Sequence, residues 1–396
     1  MGVKNPKVPV FAESNKKIMR PPNAVGDRQA LARQLLDVCL EVKPGEHVWI
    51  HSWDHAIELA SQLAWECRKR GCDILTTIQQ EHLWLRSIME APVKGLDRLP
   101  EQMAAALEKT DVYIYTLGPS KPVPWDKVPK ERRKLVTRWF LEDNNFVKAW
   151  KTIARAKGIR MLGIEATLAT PETAKVLGLD YRAWRRIMFA GCMVDYHAIA
   201  ERARRLAEII SGEGLVHVTT PHGTDFRFRL DRRPVDIGHG LADAERIREG
   251  RVVFVPAGGV EASADERSGE GVVVFDAPIL SLVKEGRIER LTLRVKNGRI
   301  AQHSAASNSN AFGRWVKKGS GAVDRFGFFG FGLNPRLRHG FTQDDKVLGG
   351  VTIGFGDNSD KAGKNKAGGR GFWASMTGAT VTLDGRVIMR DGRLFV

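Results

Sequence analysis

Acidic and imidazole side chains in the last third of the chain are the first candidates for chemistry. Glu261 and Asp265 lie four residues apart, just after Gly259, and His339 follows later in the chain. Burial raises the pKa of a carboxyl group, which can then serve as a general acid or base. We therefore predict Glu261, Asp265 and His339 as catalytic residues. The alternative for Glu261 is a charged side chain at the rim of a loop.

Glycine-rich segments surround these candidates. They are Val255–Glu261, Arg325–Pro335 and Asp345–Gly356, and Gly371–Ser375 closes the set. Glycine lets two backbones approach closely or adopt a positive φ. In order and spacing these segments resemble the site motifs of the M29 metallopeptidases, the aminopeptidase T family. The resemblance also includes Ala30–Ile50 and Pro221–Phe228, so it runs over most of the chain.

The resemblance implies a two-metal site, and this sequence lacks the ligands for it. The family's two ligand glutamates, its first histidine and its closing His-x-Asp pair fall on Gly259, Phe328, Thr352, Trp373 and Ser375. None of these supplies the imidazole or carboxylate donors of such a site. We expect these five residues to bind substrate instead. Phe328 and Trp373 would form aromatic walls that suit an apolar or flat ligand.

We accordingly predict no cofactor, with a single divalent ion such as iron as the alternative. The resemblance extends to ring-cleaving iron dioxygenases that act on hydroxypyridines, and two histidines with one carboxylate are typical ligands of mononuclear iron. His303, His339 and Asp357 are the groups left for a relocated site. Their spacing does not bring any two of them together on one helix or strand.

Three functions remain open. The first, which we predict, is an enzyme on this scaffold that acts on a small molecule without the two-metal site, by hydrolase-type or ring-modifying chemistry with Glu261 as acid or base. The second is a non-catalytic binding or regulatory homologue that keeps the cleft. The third is a metal-dependent aminopeptidase with relocated ligands.

The elements that position these residues follow from apolar periodicity. Up to about residue 210, helical spacing alternates with short strands, as in the helix Ala30–Leu40 and the strand His47–His51. This alternation predicts a doubly wound α/β domain with a parallel sheet covered on both faces. Its predicted bounds are 28–212, after a flexible arm at 1–27.

From Gly214 onward, strand-like runs are separated by turn residues. They predict a β-rich α+β domain over 213–396 that carries the site segments. Asn297-Gly298, Asp384-Gly385 and Asp391-Gly392 predict hairpins, because these residues tolerate the positive φ of tight turns. The polar, glycine-rich segment 361–370 predicts a mobile surface loop, with a lid over the site as the alternative.

Composition is that of an ordinary globular protein, with 43% hydrophobic and 27% charged residues in 396. No run approaches the ~18 apolar residues of a membrane span, and the first residues lack a signal-peptide core, so we expect a cytoplasmic protein without a membrane partner. The expected partners are a small-molecule ligand and, from the resemblance, a second copy in a homodimer.

The net charge of +16 raises the question of whether the protein binds nucleic acid. The densest basic run, 121–160, contains Trp125, Trp139 and Trp150, and aromatic side chains among cations can stack on bases. The favoured interpretation is a pair of helices with apolar residues toward the core and Lys and Arg toward solvent. Nucleic acid stays possible but is not favoured, and the charge could also attract a small anion.

Overall fold

The computed structural model describes residues 25–133, 144–280 and 287–396, so most of the predicted arm at 1–27 lies outside the described residues. A π-helical turn at Leu35–Cys39 continues the first helix. The helices are α1 (Val25–Gln34), α2 (Ile57–Lys69), α3 (Glu81–Glu90), α4 (Val93–Leu96), α5 (Glu101–Glu108), α6 (Lys130–Arg133), α7 (Asn145–Lys157), α8 (Pro171–Leu177), α9 (Tyr181–Gly191), α10 (Tyr196–Ile210), α11 (Ala244–Glu249) and α12 (Ser309–Lys317).

The strands form three sheets. They are β1 (His47–Trp53), β2 (Asp73–Gln79), β3 (Val112–Thr116), β4 (Arg160–Ile164), β5 (Glu213–Thr219), β6 (Asp225–Asp231), β7 (Val235–Gly238), β8 (Val253–Val255), β9 (Gly259–Ser263), β10 (Glu270–Val274), β11 (Thr292–Lys296), β12 (Arg299–Ser304), β13 (Phe326–Gly332), β14 (Val351–Gly356), β15 (Gly371–Met376), β16 (Thr380–Leu383), β17 (Arg386–Arg390) and β18 (Arg393–Leu394).

The N-terminal sheet is parallel and has the order β2-β1-β3-β4-β8. Its central strand β3 is buried along its whole length, as both faces of a doubly wound sheet require. The strand β8 lies within the range predicted for the β-rich domain. It joins this parallel sheet instead of the C-terminal β structure, because it pairs with β4 through Leu162 and Val253.

The C-terminal part is a sandwich of two antiparallel sheets. One has the order β12-β11-β10-β6-β5-β16-β17-β18, and the other, called the site sheet below, has the order β15-β14-β13-β9-β7. Phenylalanine side chains join the two, since Phe228 packs 4.9 Å, centroid to centroid, from both Phe326 and Phe329. Together the three sheets confirm the predicted fold class, an α/β N-terminal part followed by a β-rich part.

The predicted hairpins are confirmed. Asn297-Gly298 joins β11 to β12, Asp384-Gly385 joins β16 to β17, and Asp391-Gly392 joins β17 to β18. All six residues have a positive φ, between 48° and 82°, which explains the need for Asn, Asp and Gly at these points.

Two helical regions clarify the sequence pattern. The helical region that ends near residue 210 consists of two helices, α9 and α10, because the carboxylate of Asp195 accepts the Ala198 N–H and begins a new helix. In the basic region, α7 buries Trp150 and exposes Lys148 and Lys157, so Trp150 offers no surface for stacking on a base. Residue Trp139 lies outside the described ranges.

Among the helices of the described residues, none has the length and apolar character to cross a membrane.

Candidate active site

One face of the site sheet carries polar and small side chains in a transverse row. Asp236, Glu261, Gly330, Thr352 and Ser375 are paired in register across β7, β9, β13, β14 and β15. Residues paired directly across antiparallel strands share a face. The sheet therefore gathers Glu261, Thr352 and Ser375, which come from three of the glycine-rich segments, along one line.

A second row on the same face is aromatic. Phe328 pairs with Ser263 and Gly354, and Gly354 pairs with Trp373. The rings of Phe328 and Trp373 lie 6.4 Å apart, centroid to centroid, because Gly354 between them has no side chain. Phe328 is buried, whereas 48% of Trp373 is exposed at the edge strand. The opposite face of the sheet, with Phe329 and Ile353, faces the core.

A third row of glycines lets another part of the chain cover this face. A Cβ on Gly332 would lie 2.0 Å from the carbonyl oxygen of Val347, so only glycine allows the segment 344–347 to pack so closely. Gly259 faces Lys346, whose Cγ would lie 3.9 Å from a Cβ placed there. The segment and the aromatic row flank the buried residues Gly330 and Thr352, and we call this part of the sheet face the trough.

Glu261 lies at one end of this trough on β9. Its side chain is 19% exposed and pairs with Lys361, with 3.3 Å between Oε2 and Nζ. Burial raises the pKa of Glu261 to about 7, although the ammonium of Lys361 acts in the opposite direction. Gly259 and Glu261 are two residues apart on one strand, so Glu261 points to the side of the sheet that Gly259 faces.

Lys361 is a fixed cation over the aromatic row. Its Nζ lies 4.7 Å from the centre of the Phe328 ring, a favourable cation–π distance, and 2.8 Å from Asp360. Burial opposes its charge, yet the carboxylates of Glu261 and Asp360 outweigh burial and raise the pKa of Lys361. Lys361 therefore stays charged at neutral pH beside a carboxyl group that is close to half ionised.

A second lysine joins the trough to the N-terminal sheet. Lys346 Nζ donates a hydrogen bond of 2.6 Å to Glu165, directly after β4, and one of 3.0 Å to the carbonyl oxygen of Pro256, directly after β8. Burial opposes its charge, but Glu165 and Asp345 raise the pKa of Lys346. Burial also raises the pKa of the neighbouring Asp345. The trough thus holds alternating cations and carboxylates at the carboxyl edge of the parallel sheet.

The segment after β14 holds Lys361 in place through a buried amide. Asn358 is fully buried, and its Nδ2 donates to Ser263, Glu266 and the carbonyl oxygen of Gly327. Lys364 N–H donates to Glu266. The segment 361–370, expected to be a mobile loop, is therefore tied to the core by buried polar partners at several points.

A cavity of about 140 Å³ opens at the other end of the trough. Its lining includes Trp373, Ser375 and Asp345, with apolar contacts from Leu280 and Phe341. Ser375 is buried and its hydroxyl is 2.8 Å from that of Thr352. A cavity near 150 Å³ can hold one benzene ring, so this space is of the size of a single six-membered ring.

The predicted substrate-binding residues Gly259, Phe328, Thr352, Trp373 and Ser375 thus share one face of the site sheet. The other predicted catalytic residues lie off it. Asp265 is in the turn after β9, where its carboxylate accepts the Arg267 N–H at 3.0 Å. The ring of His339 packs against Gly350, and its buried Nδ1 has no hydrogen-bond partner.

The donors considered for a relocated metal site are dispersed. His303 packs edge to face on Phe312, 5.2 Å between ring centres. The Asp357 carboxylate accepts N–H groups from Ser359, Ala367 and Gly369. Within 25–133, 144–280 and 287–396, no three His, Cys, Asp or Glu side chains are placed to hold a metal ion.

Sequence reasoning missed several charged residues of the site: Glu165, Asp236, Asp345, Lys346 and Lys361. Glu165 and Lys346 are 181 residues apart, and their contact depends on how the parallel sheet meets the site sheet. A local signal existed for Glu165, since it directly follows a buried strand of a parallel sheet, where ligands of such folds bind. No local pattern marks Lys361.

The fold is an α/β fold of the aminopeptidase T type. The chain has a TM-score of 0.61 to wild-type AmpT from Thermus thermophilus, with 17% identity over 94% of this chain and 99% of that chain. It has the same TM-score to 2,5-dihydroxypyridine dioxygenase from Pseudomonas putida KT2440, with 16% identity over 93% of this chain and 97% of that one. At these identities the likeness shows the fold.

The family is given by the sequence. Residues 191–396, just over half of the chain, match the model of the NicX family, described as 2,5-dihydroxypyridine 5,6-dioxygenase, and the chain belongs to this family. None of the curated proteins matches the chain. The M29 resemblance is thus right for the fold, while the family is that of a dioxygenase instead of a peptidase.

This membership corrects the prediction of no cofactor. A dioxygenase family and a dioxygenase among the similar structures imply a metal cofactor, iron, because reaction with O₂ is chemistry that proteins leave to cofactors. The prediction went wrong because it was drawn from the missing two-metal ligands alone. Iron in such sites is bound by imidazole and carboxylate groups. The side chains of this site face do not fit an iron ion, because none of the following has either group: Gly259, Phe328, Thr352, Trp373 and Ser375.

Proposed function

We propose that the protein is an enzyme that modifies a small single-ring aromatic compound bearing polar substituents. The observation that carries this proposal is the trough itself, with a ring-sized cavity beside Trp373 at one end and the Glu261–Lys361 pair at the other. The family supports it, because its description names a dihydroxylated pyridine ring.

The length of the trough limits the substrate. Ser375 and Glu261 are three strands apart in one row, which puts their main chains about 14 Å from each other. A six-membered ring with polar groups at opposite positions, hydrogen-bonded at both ends, can span this distance. Ser375 and Thr352 would bind one substituent, and Phe328 and Trp373 would contact the ring.

The other substituent would meet Glu261 and Lys361. A ring hydroxyl next to Glu261 can transfer its proton to Oε of the carboxylate, since a general base works best when its pKa is near the operating pH. The electron pair then stays on the ring oxygen as an oxyanion. The ammonium groups of Lys361 and Lys346 would stabilise that charge in a partly buried site.

The test uses the purified full-length chain supplied with ferrous iron and 2,5-dihydroxypyridine. We expect loss of the ring absorbance in the presence of the protein, and tighter binding than for 2-hydroxypyridine, which lacks the second hydroxyl. Ser375→Ala should weaken binding by about tenfold, as loss of a buried hydrogen-bond partner does.

Two outcomes count against the proposal. Binding of the ring without turnover, with metal bound to the chain, would favour the non-catalytic homologue. Absence of binding by dihydroxylated rings, together with release of amino acids from aminoacyl p-nitroanilides, would favour the aminopeptidase. A metal content of two ions per chain would support that second result.

A further inference from the structure

A second, larger cavity lies in the N-terminal part of the molecule. It has a volume of about 370 Å³, within the usual range of small-molecule sites. His55 and Ala56 follow β1, Ser120 follows β3, and Ala166–Thr170 follow β4 in its lining. The cavity is therefore built from the loops at the carboxyl edge of the parallel sheet.

This position is the topological switch point of the sheet. In the order β2-β1-β3-β4-β8, the chain passes from β1 to β2 on one side and from β3 to β4 on the other side. The connections after β1 and β3 consequently diverge and leave a crevice, which is where open α/β sheets bind ligands. The strand order alone thus favours a ligand site here, and the cavity occupies that place.

The cavity contains an arginine without an anionic partner. In the described residues, the hydrogen bond of Arg185 is from Nη1 to the neutral phenol of Tyr181, at 3.0 Å, and its guanidinium lies 5.1 Å from the centre of the Phe189 ring. Its buried Nε has no hydrogen-bond partner. Guanidinium groups in partly buried positions normally pair with carboxylate or phosphate.

The end of a helix adds to this positive potential. Helix α2 has 13 residues and begins at Ile57, and its N-cap residue, Ala56, provides no side-chain hydrogen bond. Ala56 and Glu58 both line the cavity. The positive end of the helix dipole favours an anion near this terminus.

The remaining charges limit the ligand to a single negative charge. Arg28 is paired with Glu58 at 2.5 Å, and Glu172 lies exposed at the rim. Only Arg185, among the cations lining the cavity in the described chain, is left to balance a ligand. Leu59 and Phe189 contribute apolar surface.

We propose that this cavity binds a small monocarboxylate with an apolar body, and that Arg185 pairs with its carboxylate. The site is separate from the trough and does not rest on the function proposed for it. The two are adjacent along the chain, because Glu165, which holds Lys346, directly precedes Ala166 and Thr167 of the cavity lining.

Calorimetric titration of the full-length protein with benzoate tests the site. We expect benzoate to bind at least about tenfold more tightly than benzyl alcohol, its neutral counterpart, because a charged hydrogen bond is involved. Arg185→Met should remove that preference. Arg186→Met is the matched control, since Arg186 is exposed on the same helix, and Trp373→Ala is the control for the trough. Both should leave the benzoate affinity unchanged.

Equal affinity for benzoate and benzyl alcohol would overturn the proposal, as would loss of benzoate binding in Trp373→Ala. If the protein binds inorganic phosphate more tightly than benzoate, and if this binding depends on Arg185, the ligand is a phosphate. That result would also overturn the proposal. If Arg185→Met does not fold, hydrogen exchange on the unmodified protein decides. Benzoate must then protect the backbone of 166–170, and absence of that protection refutes the site.

Discussion

Lys361 contacts the Glu261 carboxylate at 3.3 Å and lies over the ring of Phe328 in the same trough. The pair combines a carboxyl group that titrates near neutral pH with a cation that does not. Glu261 lies on β9 and Lys361 lies in a loop anchored by Asn358, so the fold holds the distance between them. Activity that uses Glu261 should therefore change with pH near neutrality.

The substitution Glu261→Gln should abolish the pH dependence that this carboxyl group causes. If Glu261 accepts a proton from the ring hydroxyl, it must be ionised, so activity should rise with pH around a midpoint of about 7. The variant should lose activity by a factor of about 10² to 10⁴, the usual contribution of a general base. Rates of ring turnover between pH 5 and 9 measure both effects.

Asp265→Asn is the control, because Asp265 lies in a turn outside the row. A change of less than about twofold is expected, as for a surface substitution away from the site. An unchanged pH profile in Glu261→Gln would remove Glu261 from the reaction.

Removal of the neighbouring cation should shift this midpoint. Lys361 lowers the pKa of Glu261 against the larger effect of burial, so Lys361→Met should raise that pKa and move the activity midpoint to higher pH. The exposed Lys364, which belongs to the same loop, provides the control Lys364→Met. A downward shift in Lys361→Met, or an equal shift in both variants, would contradict the assigned contact.

The free energy of unfolding should also depend on the ionisation of Glu261, but it should decrease with pH where the activity increases. The pKa of Glu261 is about 7 in the folded protein and about 4.3 in an unfolded chain. A raised carboxyl pKa contributes stability that is complete below the unfolded value and is lost as pH rises through 7. The free energy of unfolding should therefore fall by about 3 kcal/mol between pH 4 and 8 from this group.

Urea denaturation of the wild type and Glu261→Gln at both pH values isolates that contribution. The variant should show a smaller loss of stability on the alkaline side. If the free energy of unfolding falls equally in the two proteins between pH 4 and 8, the pKa of Glu261 is not raised.

Much of the architecture was predictable because it depends on local patterns. Alternation of helical and strand periodicity gave the parallel sheet, and the pairs Asn297-Gly298 and Asp384-Gly385 placed hairpins through their tolerance of positive φ. Each of these inferences needs only neighbouring residues.

The remainder of the site depends on contacts between distant segments. Lys361 reaches Glu261 because buried Asn358 fixes its loop, and Lys346 reaches Glu165 because Gly332 lets the segment 344–347 lie on the sheet. No local sequence pattern predicts either of these two contacts. The cofactor was misjudged for a related reason, since missing ligands at five aligned positions do not describe the chemistry of a whole family.

The Lys346–Glu165 contact should stabilise the junction between the parallel sheet and the trough. Both side chains are largely buried, with 16% and 19% exposed, so removal of either partner leaves an uncompensated charge. Glu165→Gln and Lys346→Met should each reduce the free energy of unfolding by about 3 kcal/mol. The double variant should lose less than the sum of the two, by about 1 to 2 kcal/mol, because the second substitution removes the unpaired charge. Urea denaturation of the four proteins provides the cycle.

Glu90→Gln is the matched control for this cycle, because it breaks the exposed Arg86–Glu90 pair on α3. Exposed pairs are screened by solvent, and no measurable change is expected there. Strict additivity of the Glu165 and Lys346 substitutions would mean that the two residues do not interact in solution. Coupling between them would support a junction that connects Lys346 with the N-terminal cavity, whose lining includes Ala166.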